Sequence, residues 1–459
     1  MKRRDDWSYE EKALIPPVVE TSRLFWFTAA GLGAIVLWAI YAWYYQLQRG
    51  LGVTGMGRPV YWSFYITNFV FFIGVSHAGT LISAILRLTK AEWRRPITRA
   101  AEIITVAVIA IGASNVIIDL GREDRLFNVI FKPHLTSPLL WDVISITTYL
   151  TGSVLYLYLP TIPDSAILRD KLPHRRWLYG PLSLGWTGTE RQKKLLNRAI
   201  AIMAVIMVPI AVSVHTVVSW VFAMTIQPMW HSSIFGPFFV VGAIYSGIAA
   251  IIVAMAIIRK GCHLEAFLKP LHFDYLGRLL LVMTLLWTYF TFAEYITTYY
   301  GNSPDEVKVM MSKLNGPFAP YFWTMVICCL PVPLVILGVK RFRTITGPVL
   351  ASLLINVGMW LERYTIVIPT LSNPRIPRYN VHYTPSWVEI SLMAGCFALF
   401  ILVYMGFTKL FPIISIWEIE EGREGVQETA ERLESYLPEE EGGEGGEAEG
   451  PVPAAASVA

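Results

Sequence analysis

Ten apolar stretches, each long enough to cross a bilayer, run near 24–45, 61–86, 98–121, 138–160, 197–223, 233–258, 275–300, 317–339, 345–367 and 385–410. A helix of about 20 apolar residues spans roughly 30 Å of hydrocarbon. Backbone groups find no water there, so runs of this length must satisfy themselves as helices. The pattern predicts an all-α integral membrane protein with ten transmembrane helices. With 54% hydrophobic and only 16% charged residues, the composition excludes an ordinary soluble enzyme. Cys262, Cys328, Cys329 and Cys396 form neither a Cys-x-x-Cys pair nor a Cys/His ligand spacing. No iron–sulfur cluster or zinc, and so no metal site of the chain's own, is therefore expected from the cysteines.

Lysine and arginine set the orientation. The connections near 87–99, 161–198, 259–278 and 340–343 carry 5, 8, 4 and 3 of them, against 2, 3, 0, 2 and 2 in the five alternate ones. This alternation predicts both termini in the cytoplasm of a multi-pass inner (plasma) membrane protein. Basic inner loops are usual in such proteins and give no reason to expect nucleic acid. The segment 418–450 holds 13 of the 34 acidic residues and reads as a disordered cytoplasmic tail.

The chain accordingly divides into a cytoplasmic N-terminus (1–23), a first helix with its outer loop (24–60), a four-helix bundle (61–224), a second four-helix bundle (225–367), an outer loop with the last helix (368–417), and the acidic tail (418–459). Helices 2 to 5 and 6 to 9 share direction and number. Their polar landmarks also correspond: His215 and Glu362 each lie about 18 residues into their spans, while Asp119 and Glu294 sit in the outer parts of helices 3 and 7. Such spacing suggests two bundles related by an axis along the membrane normal, flanked by helices 1 and 10.

Helix 2 reads NFVFFIGVSHAGTLISAILRL, helix 3 ends IIDLGRE, helix 4 is entered through KPHLTSPLLWD, and helix 9 contains GMWLERY. In this order, these motifs resemble the NrfD/polysulfide-reductase (PsrC-like) membrane-subunit family. They are most similar to the ActC-type subunit of alternative complex III, with the paralogous ActF type as the alternative. The resemblance implies a quinol-oxidising subunit without its own haem, taking menaquinol or ubiquinol. Its implied partners are an iron–sulfur protein on the outer face, multihaem cytochrome c subunits and a paralogous NrfD-like membrane subunit. The Thr-Ser-Pro-x-x-Trp element maps onto Thr136, Ser137, Pro138 and Trp141, and the helix-3 acid onto Asp119. Asp142 departs from the smaller polysulfide-reductase subunits, where a glycine stands.

Quinol oxidation needs hydrogen-bonding groups, a proton acceptor and an apolar slot for the isoprenoid tail. Asp119 and Arg122 are three apart, which on a helix would place the cation beside the carboxylate. Asp142 enters helix 4 at a similar depth, His134 lies in the connection, and Trp62, Phe64, Tyr65 and Phe69 could line the slot. His77 is deeper and suits a proton carrier. His215, Tyr245, Glu294, Glu362 and Arg363 form a second polar track, suited either to proton conduction or to a static polar lock between helices. Neighbours on a helix diverge by about 100°, so Glu362 and Arg363 are each expected to find a separate partner. Three rivals are a secondary transporter, a b-type cytochrome ligated by His77 and His215, and a purely structural anchor for soluble redox partners. Counting from the inner ends of their spans puts those histidines roughly 14 Å apart in height, too far to share one haem.

Overall fold

The computed structural model describes residues 7–376 and 383–423. Among the described residues there are helices and no strands. The long helices are α1 (Arg23–Arg49), α2 (Phe64–Leu88), α3 (Thr98–Asp119), α4 (Pro138–Lys171), α5 (Glu190–Ala223), α6 (Phe235–Gly261), α7 (Pro270–Gly301), α8 (Ala319–Cys329, resuming as Pro331–Gly338), α9 (Thr346–Ser372) and α10 (Trp387–Leu410). Nine of them are long and apolar enough to cross a membrane. The tenth, α9, is 27 residues long but carries Asn356, Glu362, Arg363 and Thr365.

Three boundaries differ from the hydropathy reading. Helix α4 runs past residue 160 through Pro160 and Pro163 to Lys171, and α5 begins at Glu190 rather than near 197. The early start of α5 is fixed by a capping box, in which the Thr189 side chain accepts from the Gln192 N–H while Gln192 reaches back. Both helices therefore extend beyond their apolar runs. The continuous span expected over 317–339 is instead broken at Leu330 (φ −121°, ψ −79°). Pro331 and Pro333 supply no N–H to the preceding turn and cannot continue the ladder.

Helix α2 is central, packing on α3, α5, α6 and α9, while α6 in turn packs on α7, α5 and α9. Helices α1 and α10 pair with each other beside α3. Gly79, within the SHAGT motif, lets α2 and α3 approach, since a methyl group there would collide with the Ala101 carbonyl and the Thr105 hydroxyl. Close backbone contact through small residues compensates for the absence of a hydrophobic drive between helices in lipid.

Both described ends of the chain share one face, called here the near face: Ser8 Oγ donates to Glu420 Oε1 (2.9 Å) and Arg423 Nη1 to Glu10 Oε1 (2.8 Å). The acidic segment does not begin as solvated tail at 418. Residues 416–423 are helical, and Glu418 is 2% exposed against Arg87 and Arg94. Asp164 receives the backbone N–H of Trp417 (2.9 Å) and the Ser415 hydroxyl (3.1 Å), which anchors this short helix at its start. Burial against basic side chains holds six residues that composition alone assigns to solvent. The remainder of the tail, 424–459, lies outside the described residues.

Candidate functional site

At the far face, the ends of α2 to α5 bring together only part of what the spacing suggested. Helix α3 ends at Asp119, so the i,i+3 relation to Arg122 does not hold. Gly121 turns the chain through a positive φ of 63°. Arg122 is 62% exposed and forks onto Asp124 through Nε and Nη2, both at 3.0 Å. The expected Asp119–Arg122 pair is absent. Asp119 instead faces Tyr65 and Glu389, and its buried Oδ1 has no hydrogen-bond partner. Asp142, on the first turns of α4, is 7% exposed with Oδ1 likewise unpartnered.

The other outer candidates have structural attachments. Tyr65 donates to Gln46 Oε1 (2.6 Å), and Gln46 donates to the Ile118 carbonyl (2.8 Å), tying α1, α2 and α3. Phe69 is buried in the core. Trp62 packs on Phe222 and Trp230, and Phe64 on Trp360 and Tyr364. His134 is exposed and bonds Thr136 Oγ1 (2.9 Å). Ser137 caps α4 through its backbone, and Trp141 Nε1 donates to the Leu135 carbonyl (2.7 Å), closing the loop on the helix start. The sequence reading missed Glu389. This fully buried carboxylate accepts from Ser63 (2.6 Å), Tyr383 (2.8 Å) and the Gly55 and Ser386 N–H groups (2.7 and 2.9 Å). Its signal is the Ser386-x-x-Glu389 capping box, which looks like ordinary helix entry.

A buried polar region lies at the centre, where α2, α5 and α9 come together. The rings of His77 and His215 meet edge to face with centroids 3.9 Å apart. The 14 Å offset was therefore wrong, because α2 and α5 start at different heights and their ends define no common plane. His77 Nε2 lies 2.7 Å from the Ala211 carbonyl. A carbonyl only accepts, so Nε2 carries a proton. His215 is fully buried with neither ring nitrogen bonded, and Arg363 stands near enough for its charge to act on the ring.

Arg363 and Glu362 turn towards each other after all. Their Nη1 and Oε2 atoms are 2.9 Å apart, and both side chains are buried. Long side chains overcome the angular divergence of their Cα–Cβ bonds. Glu362 Oε1 also accepts from Trp287 Nε1 (2.6 Å), while the Arg363 guanidinium lies 5.0 Å from the Phe239 ring centroid and against Gly242. Tyr245 donates to the Cys329 carbonyl (2.7 Å), next to Thr284.

From Glu362 a polar route leads to the far face. A cavity of about 40 Å³ is lined by Glu362, Trp287, Tyr295, Glu294 and Lys313, enough for one or two waters. Glu294 accepts from Ser232 Oγ (2.5 Å) and also lines a second cavity of about 170 Å³ with His231 and Glu306. Lys313, in the short helix Pro304–Leu314 between α7 and α8, is 5% exposed; burial holds its ammonium down to about 8 although Glu294 is near. Among the described residues, no three His, Cys, Asp or Glu side chains gather as a metal-ligand set.

Comparison with known proteins fits this architecture. Over residues 52–374 the chain matches the family model "Polysulphide reductase, NrfD". It is 26% identical over 404 residues to a putative dimethyl sulfoxide reductase membrane subunit of Halobacterium salinarum, covering 83% of this chain and 90% of that one. It is 23% identical over 410 residues to the Hdr-like menaquinol oxidoreductase integral membrane subunit of Archaeoglobus fulgidus, covering 85% and 94%. To a selenate reductase subunit of Mesobacillus selenatarsenatis it is 24% identical over 415 residues, again covering 85% and 94%. These relatives are subunits of redox complexes, and with a family model spanning α2 to α9 this multi-pass chain belongs to the NrfD polysulphide reductase family.

Proposed function

We propose that this chain is the quinol-oxidising membrane subunit of an alternative complex III, of the ActC type. In this reading α1 to α10 all cross the inner membrane, with helices 2–5 and 6–9 as two bundles, the near face cytoplasmic and the far face outer. The observation that carries it is the pair of buried carboxylate oxygens, Asp119 Oδ1 and Asp142 Oδ1, left without partners at the outer ends of adjacent helices. A buried polar atom without a partner costs about 1–3 kcal/mol, and an intramembrane acid calls for a functional reason. Each carboxylate is a candidate acceptor for a quinol hydroxyl proton. Oxidation releases two protons and two electrons. The carboxylates take the protons, and the electrons leave to an iron–sulfur protein on the outer face and then to multihaem cytochrome c, beside a paralogous membrane subunit.

Menaquinol is the favoured substrate class, because the Archaeoglobus relative is a subunit of a menaquinol oxidoreductase. Arg122 and His134 join the proposal at the mouth rather than at the reacting hydroxyls, because both are exposed. Phe127, Ile130, Phe131 and Leu135 are 59–78% exposed in the same segment and offer an apolar surface to the outer partner. His77, His215, Arg363, Glu362, Tyr245 and Glu294 form the proposed proton track, supported by their contiguity through the centre and the two cavities.

The test is quinol oxidation by the assembled complex. Asp119→Asn and Asp142→Asn should each lower the rate at least about tenfold, within the usual range for a lost general base. Wild-type rates in both variants would remove the outer site from consideration.

A further inference from the structure

The proton track above ends at His77, in the middle of the bundle, and the residues beneath it form a second set that the quinol chemistry does not use. On α2, Ser76, Thr80, Ser83 and Arg87 recur at three- and four-residue steps, which places them on one face. On α4, Tyr149, Ser153 and Tyr156 recur in the same way and meet them. The rungs are bonded. Tyr149 lies beside His77, with ring centroids 5.5 Å apart, and donates to the Ser76 carbonyl (3.0 Å). Thr80 Oγ1 and Ser153 Oγ are 3.2 Å apart. Ser83 Oγ lies 3.3 Å from Tyr156 OH and donates to Glu102 Oε1 on α3 (2.8 Å). Below these, Arg87 and Arg94 meet Glu418 at the near face. Successive rungs are separated by roughly 5–6 Å, a distance one water bridges.

Glu102 separates this set from an ordinary polar lock between helices. It is 2% exposed, and its Oε2 has no partner. Cations stand nearby but are committed elsewhere: Arg99, one turn away, pairs with Asp164 and donates to the Pro160 carbonyl (2.9 Å), while Arg87 pairs with Glu418. A lock would satisfy its carboxylate. Here the acid is kept close to positive charge without a salt bridge of its own, so that gaining or losing a proton breaks no ion pair. Ser, Thr and Tyr hydroxyls both donate and accept, as a proton relay requires.

We propose that this ladder conducts protons between the near face and His77, with Glu102 as the proton-holding group and Glu418, in the packed start of the acidic segment, at its mouth. The proposal rests on the reading above for the reaction that drives proton movement.

The experiment uses the intact complex, in detergent for electron transfer and in proteoliposomes for proton movement. Glu102→Gln should keep quinol oxidation in detergent within about twofold while protons moved per electron fall at least tenfold. Tyr156→Phe should lower proton movement severalfold, and Ser114→Ala, on α3 away from the ladder, should leave it unchanged. Proton movement at the wild-type ratio in Glu102→Gln overturns the proposal. If that variant does not assemble, a hydrophobic carbodiimide on the wild-type complex takes its place, since it modifies protonated carboxyls in apolar surroundings. Peptide mass spectrometry should then find the adduct on Glu102 together with loss of proton movement. An adduct with movement intact, or no adduct there, overturns the ladder. A wild-type complex that does not oxidise quinol sinks the reading above instead. Passive proton flux down an imposed pH gradient, wild type against Glu102→Gln, then decides the ladder separately.

Discussion

His77 on α2 and His215 on α5 touch ring to ring at 3.9 Å, and Arg363 on α9 stands next to the second of them. Three helices thus meet at one polar point. His215 has no hydrogen-bond partner for either nitrogen, a state that native interiors avoid unless water or function explains it. Replacing His215 by Phe, similar in shape and apolar, should therefore leave the complex assembled and its melting temperature equal or higher. On the proposed track, proton movement in proteoliposomes should fall at least tenfold. If the variant instead melts several degrees lower with proton movement intact, His215 is a packing residue.

The Glu362–Arg363 pair offers a sharper separation of roles. Trp287 and Arg363 both hold Glu362, and removal of one partner from a buried pair costs about 3–5 kcal/mol. Glu362→Gln keeps the side-chain shape and can still accept from Trp287. It should leave quinol oxidation in detergent within about twofold while weakening proton movement in vesicles. Arg363→Met should prevent assembly or markedly lower thermal stability. Equal proton movement in wild type and Glu362→Gln would make the pair a polar lock.

Gly242 bears on the same pair from the neighbouring helix. A Cβ built there would stand 2.5 Å from Arg363 Nη2 and 3.1 Å from the Met359 methyl. Gly242→Ala must push the guanidinium off its place over Phe239, and overpacking of this kind costs about 1–3 kcal/mol. The complex should melt lower and move fewer protons per electron in vesicles, and Ala243→Gly, next to it on α6, should not reproduce that loss of proton movement. A silent Gly242→Ala would show that Arg363 has room to move.

Hydropathy made the long helices visible because lipid demands them, and the motif order on α2, α3, α4 and α9 made the family visible. What it missed follows from the same physics. Apolar runs mark what is greasy, not where a capped helix begins, so α4 and α5 overrun and depth counting misplaced His215 by a wide margin. Helical spacing was extrapolated past Asp119, where the helix had already stopped, and Arg122 left for Asp124. Glu102, Tyr149 and Tyr156 escaped notice because a hydroxyl-rich stripe within an apolar helix looks like tolerated polarity until the facing helix is known. Glu418 reads as tail because composition carries no information about the arginines waiting at the end of α2 and in the connection after it.

Lys313 gives a prediction in pH. Burial lowers its ammonium from near 10.5 to about 8, so between those values the unfolded chain binds more protons than the folded one, and stability rises with pH across the window. Below about 8 both states are charged and the full cost of the buried ammonium is present. At about 1.4 kcal/mol per pH unit the shift bounds that cost at about 3 kcal/mol. Lys313→Met should therefore raise the melting temperature of the assembled complex most at pH 7, with the advantage shrinking towards pH 10. Scanning the two proteins side by side over that range checks it. A gap that stays constant with pH would mean that Lys313 keeps its proton throughout, held by Glu294 across the cavity.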